Sequence, residues 1–81
     1  MKFIDGIKYV RLLGRDFLVA GRAAYGKVPD AVLLTGNGAA LAEATLRLGD
    51  TRLAELETGA SDAGEFFAGL SELGYLEENG S

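Results

Sequence analysis

Ala31-Val32-Leu33-Leu34-Thr35-Gly36-Asn37-Gly38-Ala39-Ala40-Leu41 decides the fold, because the hydrophobic period changes inside it. Ala31 to Leu34 is a short apolar run bounded by turn residues, which suits a buried strand or the start of a helix. Its length and the Thr-Gly-Asn-Gly that follows favour a strand. Beyond it Leu41, Ala44 and Leu48 recur at i, i+3 and i+7, the spacing of an amphipathic helix, with Thr35 or Asn37 as its cap and Gly49 as its stop.

Upstream, Ile7 to Leu13 is a β-favouring apolar run interrupted by Lys8 and Arg11, as in a half-buried strand. Gly14-Arg15-Asp16 breaks it and Phe17 to Ala20 resumes it, which predicts a hairpin turning at Gly14. Gly21 to Asp30 holds the only Pro and reads as a loop. Downstream, Asp50 or Thr51 caps a short second helix through Leu53 and Leu56 that stops near Gly59. Ser61 or Asp62 caps a third, in which Ala63, Phe66, Phe67, Leu70 and Leu73 share one face. Gly74 ends it, and Tyr75-Leu76 folds back on the core ahead of a polar tail from Glu77 to Ser81. The order is three strands followed by three helices, an α+β class, in a single domain over residues 1–81.

A chain of 81 residues buries only about 60 to 65% of its unfolded surface, but 48% hydrophobic content places it well outside the disordered class. With no His and no Cys it has no zinc site, no disulfide and no Ser-His-Asp or Cys-His nucleophile system. The pairs Glu55 with Glu57 and Glu77 with Glu78 lie on surface segments without the spacing of a calcium loop. Thr35-Gly36-Asn37-Gly38 lacks both the third glycine of a dinucleotide fingerprint, where Leu41 stands, and the Lys-Ser or Lys-Thr of a P-loop. No enzymatic activity, cofactor or metal is expected. Nor is a membrane span, since no apolar run approaches about 20 residues, and Met1 to Leu13 does not read as a secretory signal, so the expected location is cytoplasmic. Asn79-Gly80-Ser81 matches a glycosylation tripeptide in form only. Charge is uneven: Met1 to Thr35 carries six Lys or Arg against three Asp, and Gly36 to Ser81 two Arg against nine Asp or Glu.

Leu34 to Leu41 resembles the Leu-Asn-x-Thr-Gly-Ala-x-Leu signature of PqqD-like proteins, also called RiPP recognition elements, with Leu34, Gly38, Ala39 and Leu41 matching. Gly6-Ile7-Lys8-Tyr9-Val10-Arg11, Phe17-Leu18-Val19 and the closing Phe67 to Leu76 are similar to the family in the same order, so the likeness spans about Gly6 to Glu77. Thr35 stands in place of the signature's Asn, Asn37 in place of Thr, and Ala42 where a large aromatic is usual; the second-helix region is shortened. The resemblance implies a winged-helix-like fold with an antiparallel sheet. It also implies that the chain binds the leader segment of a ribosomally made precursor peptide and delivers it to a modifying enzyme, often of the radical SAM class.

In that family the leader adds as a fourth strand beside strand three, with its side chains in a groove against helix three. Here the edge would be Ala31, Val32, Leu33 and Leu34. The opposing wall would be Phe66, Phe67, Leu70 and Leu73, with Gly69 permitting close approach. Sequence leaves open which Phe faces the groove, since a small domain also needs aromatic side chains in its core. It also leaves open monomer or homodimer, and with the latter a structural or regulatory module that pairs through the same edge. DNA binding fits poorly, because Ser61 to Leu73 carries Asp62, Glu65 and Glu72 and neither Lys nor Arg.

Overall fold

The computed structural model describes residues 1–80; Ser81, which closes the expected tail, lies outside the described residues. The elements run β1 (Lys2–Phe3), β2 (Ile7–Leu12), β3 (Arg15–Ala20), β4 (Ala31–Leu34), α1 (Gly38–Leu48), α2 (Thr51–Thr58), α3 (Ala63–Glu72) and β5 (Leu76–Glu77). An antiparallel sheet in the order β2-β3-β4 precedes the three helices, the winged-helix-like arrangement expected.

The hairpin turns one residue earlier than the sequence suggests. Leu13 and Gly14 both take positive φ, 52° and 74°, as a two-residue type I′ turn requires. Arg15 and Asp16, read from sequence as chain breakers, therefore open β3 opposite Leu12 and Arg11. Register then sorts the side chains. Ile7, Tyr9, Leu18, Ala20, Val32 and Leu34 share the face that meets the core, while Val10, Phe17 and Leu33 form one cross-strand row on the other, with Val10 and Leu33 exposed.

Leu18 and Leu34 join Ala42 of α1, Leu70 of α3 and Tyr75 in one buried cluster. Tyr75 is fully buried, and its hydroxyl donates to the Pro29 carbonyl, so the loop before β4 and the segment after α3 are tied together. Beyond Tyr75 the chain does not trail off. Leu76 and Glu77 form β5, which pairs antiparallel with β1 and sets Phe3 opposite Leu76, both buried. Glu77, expected as the first tail residue, thus sits in a strand opposite Lys2.

At the helix starts, side-chain oxygens compete for partners. Asp50 caps α2, its carboxylate accepting from the Arg52 N–H at 3.1 Å. Neither Asn37 nor Asp62 caps its own helix; the Asn37 amide donates instead to the Asp62 carboxylate at 3.0 Å, pinning the start of α1 to the start of α3. Arg47 pairs with Glu43 within α1 at 3.0 Å and bridges to Glu57 of α2. Among the described residues, no helix is long and apolar enough to cross a membrane.

Candidate peptide-binding groove

β4 is the last strand of its sheet and pairs only with β3. The Ala20 N–H donates to the Asp30 carbonyl at 2.9 Å, and this fixes the phase of the ladder. Alternation then turns the backbone groups of Val32 and Leu34 toward β3, and those of Ala31 and Leu33 outward to the open edge. No residue of β4 carries a charge.

Facing this edge, α3 completes an apolar groove of about 360 Å³. Val32, Leu33 and Thr35 line it from the strand side, and Glu65, Phe66, Gly69, Leu70 and Leu73 from the helix. Of the nine residues expected from sequence, six meet here. Ala31 stays on the edge beyond the lining, and Leu34 turns into the core. Phe67 also departs from expectation: it packs against the core without lining the groove, because one residue of helix turns it about 100° away from Phe66, which does both. The sequence left the choice between the two rings open, and the fold puts Phe66 in the groove.

Phe66 is held from two sides. Phe67 meets it edge to face, with ring centroids 5.3 Å apart, and a Cβ built on Gly38 would stand 2.9 Å from the ring. Gly38 thus lets the first turn of α1 seat the Phe66 ring. Gly69 behaves in the opposite way: a Cβ there meets nothing within 4 Å, so the missing side chain leaves open space in the groove. Thr35, Glu65 and Gly38 were not singled out as site residues from sequence, although Glu65 shares the i, i+4, i+8 stripe of Gly69 and Leu73.

Besides Thr35, the only polar side chain in the lining is Glu65, which is exposed and makes no ion pair among the described residues. The shifted phenols serve the scaffold: a 2.6 Å hydrogen bond to Asp16 raises the pKa of Tyr9, and burial raises that of Tyr75. Compared with known proteins, the chain matches no family model, no curated protein and no solved structure.

Proposed function

We propose that the chain is a non-enzymatic adaptor, acting in the cytoplasm, that binds an extended segment of a precursor peptide along β4 and presents it to a modifying enzyme. The observation that carries this reading is the juxtaposition of an open, uncharged strand edge with an apolar groove. An added strand would satisfy the outward N–H and C=O groups of Ala31 and Leu33, and its alternate side chains would enter the groove over Phe66, Gly69 and Leu73. Precursor biology and the modifying enzyme, of the radical SAM class in much of the family, rest on the PqqD-like resemblance alone.

The test begins with panning a displayed library of random extended peptides. The best binder is then titrated into isotope-labelled protein while backbone amides are followed by NMR. Saturable shifts concentrated in Ala31 to Leu34 and Phe66 to Leu73 are expected. Failure to enrich any peptide, or shifts centred elsewhere, would remove the reading. A dimer that buries the β4 edge would replace it with self-association.

A further inference from the structure

The groove is apolar at its floor and acidic at its rim, and this asymmetry narrows its occupant. Glu65 lines it with no ion pair among the described residues, and Glu72, outside the lining and seven residues further along α3, stands on the same helix flank about 10 Å away by helical rise. Neither β4 nor α3 supplies a Lys or Arg to offset them. An apolar side chain entering the groove therefore brings its neighbours beside the Glu65 carboxylate, with Glu72 further along the same flank, where a cation is attracted and an anion repelled.

We propose that the groove selects an extended peptide in which an apolar anchor is flanked by Lys or Arg, and discriminates against the same anchor flanked by Asp or Glu. The proposal rests on the strand-addition reading. Its occupant is a cationic-apolar peptide rather than a second copy pairing β4 to β4, since that strand is followed by Thr35-Gly36-Asn37 and preceded by Asp30. A second copy entering by its β2, where Lys8 and Arg11 flank Tyr9-Val10, would show as a dimer in sedimentation and overturn the proposal.

Two peptide libraries test it, identical in a randomised apolar centre and differing only in Lys or Glu at the flanking positions. The Lys library is expected to bind about three- to tenfold tighter, with the difference shrinking at about 0.5 M salt. Glu65→Lys, a change at an exposed position, is expected to narrow or reverse the preference. Equal binding, or preference for Glu flanks, would overturn the charge selectivity while leaving peptide binding intact. Absence of binding by both libraries would overturn peptide binding itself. Binding that survives Leu33→Pro would show that the occupant does not add as a strand, and a β4-paired dimer in sedimentation would show that a second copy occupies the edge; either result overturns the proposal.

Discussion

Leu13 is 92% exposed at a positive φ of 52°, a conformation in which a Cβ crowds the following carbonyl. Asn tolerates it better and is favoured at this position of a type I′ turn. Leu13→Asn is expected to raise stability by about 0.5–1 kcal/mol, or the melting temperature by about 2–8 °C in a thermal scan. This residue also explains why the sequence marks only half of the turn. Gly14 marks a bend at its true place, but nothing in Leu12-Leu13 signals that Leu is the other left-handed residue, so the sequence alone puts Arg15 and Asp16 in the break rather than in β3. Phe66 and Phe67 illustrate a second limit. Both satisfy the i, i+3, i+4 pattern and both pack against the core, and only the fold shows that Phe66, seated against Gly38, also lines the groove.

Among the elements, α2 depends on its cap for a clean start. The Arg52 N–H holds the Asp50 carboxylate in its ionised form and lowers its pKa. Because the folded-state pKa lies below the unfolded one, the cap's electrostatic contribution is complete above the ordinary aspartate range, near about 3.9, and fades as pH falls through and below it. Asn retains a capping oxygen without that charge. Urea midpoints at pH 7 and pH 3 are expected to fall further for wild type than for Asp50→Asn; an equal fall would show that the cap does not titrate in this range. α1 and α3 were legible because each carries about three turns of apolar spacing, whereas α2 was legible from its caps, since it buries Ala54 and leaves the expected Leu53 and Leu56 exposed. β1 and β5 were not, since two residues hold no period and their pairing joins opposite ends of the described chain.

Across the whole molecule, the sheet has two free edges that are treated differently. β2 carries Lys8 and Arg11, charges of the kind that discourage edge-to-edge pairing, whereas β4 is four apolar residues. Only β4 borders the groove. Leu33→Pro, which removes an outward N–H at an edge position that tolerates Pro, is expected to weaken peptide binding at least about tenfold in calorimetry. Leu33→Ala, which keeps the N–H, should weaken it less, and the reverse ranking would place the affinity in the side chain instead.

The most direct test of the groove is the affinity of Gly69→Leu for a peptide selected on the wild-type chain. Replacing a mid-helix glycine with a strong helix former where a Cβ meets nothing within 4 Å is expected to stabilise the fold by about 0.5–1 kcal/mol while filling the groove. A higher melting temperature together with binding weakened at least about tenfold would agree with a peptide lying over Gly69. Unchanged affinity in the stabilised variant would contradict the groove as the binding site.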